Sequence, residues 1–201
     1  MADEDDQPVF VRQGTLEIEQ QVALQIAVRS YGVALAPVLG VRHKEVDRLS
    51  AELHNLPFDD GVGVCLIGKD LHYLMAQHGE QDVEPYAGWL VENDMDAATV
   101  ADEIARAIDE CGDRFFQPLG ELDSIIENLA RTKCDQFQLA HLAIATHVSG
   151  RLDDAVGYLE EFAARAALEP PFVATQSWGF VRSFVDRFNV DEGGLAFRIP
   201  D

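Results

Sequence analysis

Val62-Gly63-Val64-Cys65-Leu66-Ile67-Gly68-Lys69-Asp70-Leu71-His72-Tyr73-Leu74-Met75-Ala76 is the stretch on which the fold class turns. It follows the turn signal Asp59-Asp60-Gly61, and its first apolar run, Val62 to Ile67, carries β-branched residues. Gly68-Lys69-Asp70 separates that run from Leu71–Ala76, a spacing that predicts a β-hairpin with a short loop. His78 to Pro85 reads as polar loop, and Tyr86 to Val91 as a third strand. Three neighbouring strands form a sheet with one face to cover, and the flanking segments supply helices for it. The expected class is α+β: a small antiparallel sheet covered by helices, with a mostly helical C-terminal half.

Upstream, Val9-Phe10-Val11 predicts a short strand ahead of Gly14-Thr15. Leu24, Val28, Tyr31 and Leu35 recur at helical spacing and predict a helix from Leu16 to about Leu35, stopped by Pro37 and Gly40. Val46, Leu49, Leu53 and Leu56 predict a second helix from about Lys44 to Leu56, ended by Pro57. Downstream, Asp96 is the expected N-cap of a helix with stripe Val100, Ile104, Ile108 and Cys111, ended by Gly112. Leu122, Ile125, Ile126 and Leu129 mark the next helix. Phe137 to Val148 is apolar on nearly every face, which predicts the most buried helix. Leu152, Ala155, Val156, Leu159, Phe162 and Ala166 give an amphipathic partner to it, and Pro170-Pro171 breaks the chain. Trp178, Val181, Val185 and Phe188 predict a last helix, and Leu195, Phe197 and Ile199 alternate like a terminal strand. No linker divides the chain. The expectation is one α+β domain over residues 1–201, with 1–7 a disordered acidic leader and 136–190 a helical subregion.

The formal charge of −21 at pH 7 is the unusual quantity. It argues against nucleic acid, whose phosphates repel an acidic surface, and against anionic membranes. It favours cationic partners, whose encounter an opposite field accelerates, although acidity also serves solubility. No apolar run approaches the roughly 18 residues that a membrane span requires. The acidic start Met1-Ala2-Asp3-Glu4-Asp5-Asp6 is unlike a secretory signal, and Cys65, Cys111 and Cys134 are too few and too widely spaced for a disulfide framework. A cytoplasmic protein is expected.

Catalytic signatures are missing from the sequence. It has no phosphate-binding loop, no dinucleotide fingerprint beyond Gly61-Val62-Gly63, no nucleophile elbow, and no paired-cysteine or His-Glu-x-x-His metal motif. His141 and His147 are six apart on a helix, about 120° around its axis, so they do not form a same-face metal pair. His141 falls in the stripe with Phe137, Ile144 and Val148 and reads as a hydrogen-bonded core histidine. His72 and His78 would need a third ligand such as Glu80 or Asp82. Asp94-Met95-Asp96 reads as helix capping and not chelation. Cys65 and Cys111 read as small core residues, as do Phe115 and Phe116 at core aromatic positions. No enzyme activity, cofactor or metal is expected.

The negative charge is concentrated. Between Gln77 and Asp135 there are 15 Asp or Glu against 4 Lys or Arg, a net of −11. Charge runs are often no more than solvated helix faces. The concentration nevertheless marks a candidate docking surface of Glu80, Asp82, Glu84, Glu92, Asp94, Asp102 and Glu103, with Tyr86 and Trp89 as aromatic anchors at its edge.

The order of elements also resembles a known class. Early helices, Gly63 to Leu74, a strand at Trp89, an Ala-rich helix, the Arg114-Phe115-Phe116 corner and a leucine-periodic helix are similar to bacterial immunity proteins of polymorphic-toxin and contact-dependent secretion systems. The resemblance covers about residues 20–168. It implies direct one-to-one binding and occlusion of a cognate toxin, and an acidic chain suits a basic one. Two other classes remain open: an adaptor or chaperone whose helical hairpin at 136–168 holds a secreted or disordered segment, and an enzyme whose site the sequence does not connect.

Overall fold

A computed structural model of the chain describes residues 8–15, 17–58, 65–77, 88–132 and 134–200. Residues 1–7, expected as a leader, with 59–64 and 78–87, lie outside the described residues, as do Leu16, Lys133 and Asp201. In chain order come strands β1 (Val9–Gln13), β2 (Ile18–Arg29) and β3 (Gly32–His43), then helix α1 (Lys44–Leu53). Strand β4 (Ile67–Asp70), helix α2 (Leu71–Gln77) and strand β5 (Trp89–Val91) follow. The remainder is helix: α3 (Asp94–Phe116), α4 (Leu122–Ala130), α5 (Gln136–Val148), α6 (Leu152–Ala166) and α7 (Pro171–Phe188). The class is α+β as expected, an antiparallel five-stranded sheet with a mostly helical C-terminal half.

The chain divides into two compact units, Met1–Arg42 with Cys65–Glu121, and His43–Val64 with Leu122–Asp201. The first unit holds the sheet. Its strands run in the order β1-β2-β3-β4, and β5 also pairs with β3. Val33 to Leu35 of β3 pair with β5, and Val38 to Val41 pair with β4. Helix α3 packs against α2 and β5. Leu39, Leu71, Cys111 and Leu119 are among its most buried side chains.

Three sequence expectations in this unit are corrected. The predicted helix over 16–35 is the hairpin of β2 and β3, turning at Ser30 and Tyr31. Its helical stripe is accidental, because Val28 and Tyr31 are exposed. The buried positions of β2 are instead Ile18, Glu19 and Gln21, and two polar residues on a buried face hide the alternation that identifies a strand. Gly32 fits the strand entry: it holds φ +152, where a Cβ would stand 2.6 Å from the Val91 carbonyl oxygen. Of the expected hairpin at 62–76, residues 62–64 lie outside the described residues, and the part that follows is strand β4 and helix α2. Asp70 ends β4, and its carboxylate accepts the Tyr73 N–H, satisfying a free donor of the first turn of α2. Leu71, His72 and Leu74 are the buried residues of that helix. Helix α3, finally, is capped by Asn93 and not Asp96, with the Asn93 side chain accepting from the Met95 N–H. It runs through Gly112 to Phe116, because one interior glycine costs only about 1 kcal/mol against alanine.

The second unit is a helical assembly around α5, which packs against α1, α4 and α6, with α7 on α6 and α1. Eight consecutive residues of α5, Leu139 to Thr146, are buried, as its all-round apolar pattern predicts. The helix starts on a capping box: the Asp135 side chain accepts the Gln138 N–H, and the Gln138 side chain accepts the Asp135 N–H. Pro171 begins α7, where a missing N–H costs nothing, and Asn189 closes it in the left-handed region at φ 52. The expected terminal strand at 195–199 is absent. That tail is held through the Ala196 N–H donated to the Glu160 carboxylate, Arg182 donating to the Pro200 carbonyl, and Phe197 against Trp178.

Candidate functional site

Helix α3 carries the acidic surface. Asp102, Asp109 and Asp113 recur at spacings of seven and four, so they share one face, with Arg106 between them. Glu103 and Glu110 form the adjacent row. All five carboxylates are exposed, and none forms an ion pair or hydrogen bond among the described residues. Asp109 and Asp113 are a like-charged pair four apart, which costs an isolated helix about 0.2–0.5 kcal/mol.

The other expected docking residues divide. Glu80, Asp82, Glu84 and Tyr86 lie outside the described residues, as does His78. Glu92 is exposed after β5, and Asp94 is the first residue of α3. Trp89 is half-buried in β5, with its ring 3.8 Å from that of His72 between centroids, so it is engaged inside the first unit. Asp96 accepts from the Asn93 side chain at 2.6 Å, which places it in helix initiation. The structure thus joins Glu92 and Asp94 at the start of α3 to Asp102 and Glu103 further along it.

A groove that the sequence reading missed adjoins the acidic face. The register pairs Phe10 with Val22 and Arg12 with Gln20, so these four share one face of β1 and β2. Opposite them stand Ile108, Asp109, Gly112, Asp113 and Phe116 of α3, enclosing about 470 Å³. Phe10 is 63% exposed on β1, beside the groove. The Arg12 guanidinium is turned onto its own sheet, donating from Nε and Nη2 to Gln20 Oε1 at 2.9 and 2.5 Å. The only sequence signal for this groove was Phe10 at a strand position together with the Asp109–Asp113 spacing.

Behind the sheet face lies a buried polar cluster. Arg42 is fully buried, and its Nη1 is 3.2 Å from Glu19 Oε2. Next to it the Cys65 thiol donates to Gln21 Oε1 at 3.0 Å. Gln21 Nε2 has no hydrogen-bond partner among the described residues. Cys65 lies over Gly40, where a Cβ would stand 2.1 Å from the sulfur. Gly40→Ala is therefore expected to push the thiol off Gln21 and cost about 1–3 kcal/mol, read as a lowered urea midpoint. An unchanged midpoint would mean the side chain has room to turn away.

Three of the described histidines, His43, His72 and His141, are buried, and His54 and His147 are half-buried. His141 is 2% exposed, with Nδ1 2.9 Å from the Phe137 carbonyl oxygen, the core role its stripe predicts. Burial pushes His141 below its usual 6.5, against the opposing effect of that hydrogen bond. Burial likewise lowers His54, His72 and His147. A histidine whose folded pKa is depressed binds fewer protons folded than unfolded. Its contribution is whole above pH 6.5 and is lost as pH falls from there toward the folded value. Acid also relieves the self-repulsion of a highly anionic chain, so the comparison has to be made by difference. His141→Leu should flatten the fall in urea midpoint between about pH 7 and about pH 5 relative to the parent chain. Parallel curves would remove His141 as a cause.

Cys111 is buried at 2%, and Phe115 and Phe116 are buried and meet edge to face, as expected of core residues. Cys65 is half-buried and precedes β4. Among the described residues no group of three or more His, Cys, Asp or Glu is arranged to hold a metal ion. No described helix is long and apolar enough to cross a membrane.

Fold and site together define an α+β chain with an acidic helical face beside an apolar groove. Comparison with protein-family models, curated proteins and solved structures found no match.

Proposed function

We propose that the chain is an acidic cytoplasmic binding protein that neutralises a basic protein toxin by one-to-one binding, in the manner of an immunity protein, and that it is not an enzyme. The observation that carries this reading is the row of exposed carboxylates along α3, Asp102, Asp109 and Asp113 with Glu103 and Glu110, which make no ion pair among the described residues. Asp109 and Asp113, four apart, destabilise the helix as a like-charged pair, and on this face Arg106 alone stands against the row. The row is suited to lysine and arginine side chains of another protein, and the charge of −21 extends that attraction beyond contact. A toxin with a cationic cleft would be steered onto this face and its substrate excluded.

The test is affinity capture of the tagged chain from its host at low and then high salt, with bound proteins identified by mass spectrometry. The reading expects one stoichiometric basic partner, retained better at low salt. A stoichiometric partner of acidic or neutral charge would overturn it. With the partner in hand, the association rate should fall at least about tenfold between about 20 mM and about 500 mM salt. A rate indifferent to salt would remove the electrostatic part of the account.

A further inference from the structure

We infer that the groove between β1–β2 and α3 is the seat for an extended cationic segment of the partner, one that alternates apolar side chains with arginine or lysine. This rests on the binding reading above and names the chemistry of its occupant. The walls are apolar: Phe10 and Val22 on the strands face Ile108 and Phe116 on the helix. A phenylalanine left 63% exposed at the mouth of a cavity of about 470 Å³ is an unfilled contact. The charges in the groove are not balanced. Among the described residues that line it, the one cation, Arg12, is occupied by Gln20, whereas Asp109 and Asp113 on the opposite wall form no ion pair with any described residue. An incoming guanidinium or ammonium group finds two carboxylates one helical turn apart, the spacing a single cation can bridge.

Charge decides among the occupants. A second copy of this chain brings another −21, and its approach to this face is repelled. The chain's own first residues are Asp3, Glu4, Asp5 and Asp6, like-charged with Asp109 and Asp113. A basic segment of another protein is attracted by the same groups. An extended conformation is suited to a groove whose one wall is β1, the terminal strand of the sheet order, because a segment lying along it alternates its side chains with the same period as the strand.

The experiment uses the purified full chain and fluorescein-labelled peptides about eight residues long, about 26 Å when extended. Three are compared by anisotropy at near-physiological salt: alternating Leu and Arg, alternating Ser and Arg, and alternating Leu and Glu. The first should bind about tenfold tighter than the second, which has the same charge, and the third should not bind. Asp109→Asn with Asp113→Asn should weaken the Leu–Arg peptide about tenfold, as should Phe10→Ser. All three positions are exposed, so the fold is expected to survive, which circular dichroism checks. The charge-matched control, Asp123→Asn with Asp153→Asn in the other unit, should change the affinity less than about twofold. Equal affinity for the Leu–Arg and Ser–Arg peptides would overturn the proposal, because attraction would then come from overall charge alone. Full affinity in the Asp109/Asp113 and Phe10 variants, or an equal loss in the control, would also overturn it. These measurements need only the chain itself. Their failure removes the groove and leaves neutralisation standing, whereas capture of a non-basic partner removes the neutralisation reading.

Discussion

Arg42→Ala is expected to destabilise the chain by about 3–5 kcal/mol, a large share of the roughly 5–15 kcal/mol that a typical domain has to lose. Arg42 is fully buried on β3 and Glu19 has a side chain 9% exposed on β2, joined at 3.2 Å. Taking both ions out of water is costly, and mutual attraction with further interactions at both residues offsets that cost. Alanine removes one half of the pair and leaves a carboxylate desolvated against strand β3. Arg42→Lys should rescue little, because an ammonium group cannot reproduce the planar fork of donors. Arg42→Met with Glu19→Leu should recover most of the loss, since replacing a whole buried pair with apolar groups is often neutral. Urea unfolding of the three variants beside the parent chain reads this directly. A loss under about 1 kcal/mol for Arg42→Ala would mean that the pair is solvated.

Phe184→Ala is expected to cost a similar amount, about 3–5 kcal/mol, for a different reason. Phe184 is fully buried on α7, with its ring 4.7 Å from Phe188, 6.1 Å from Phe180 and 5.9 Å from His147 between centroids. The variant loses the transfer energy of the ring and leaves a cavity among aromatic neighbours that cannot collapse fully. Phe184→Leu keeps most of the volume and should cost about 1–1.5 kcal/mol. The ratio of the two losses tests whether the cavity term governs the site. Equal losses would point instead to the specific edge-to-face contact with Phe188.

These two positions also show what the sequence makes legible. The second unit could be read because its packing is written in apolar stripes: Val46, Leu49 and Leu53 on α1, Ile125, Ile126 and Leu129 on α4, and the continuous run on α5 are buried as their periodicity predicts, whereas Leu56, expected to complete the α1 stripe, lies past the helix end at Leu53 and is exposed. The hairpin of β2 and β3 could not, because its interior includes Glu19, Gln21 and Arg42. A period-two pattern vanishes when the buried face is polar, and a chance helical spacing of Leu24, Val28, Tyr31 and Leu35 takes its place. Helix α2 is hard to read because its start rests on the Asp70 carboxylate accepting the Tyr73 N–H. Leu195, Phe197 and Ile199 alternate, yet the tail is held by side chains of α6 and α7 and not by a neighbouring strand. The acidic face could be counted from sequence, and Asp102 and Glu103 were placed on it. The groove could not, since it requires the register that puts Phe10 beside Val22 and both opposite α3.

The proposed role of this chain is to protect a cell by binding a basic toxin. The most direct measurement is a growth assay in which the captured basic partner is expressed alone, with the parent chain, and with the chain carrying Asp102→Asn, Asp109→Asn and Asp113→Asn together. The account predicts killing by the partner alone, growth with the parent chain, and partial or lost protection with the triple variant. A partner harmless on its own, or equally toxic in the presence of the parent chain, would contradict it.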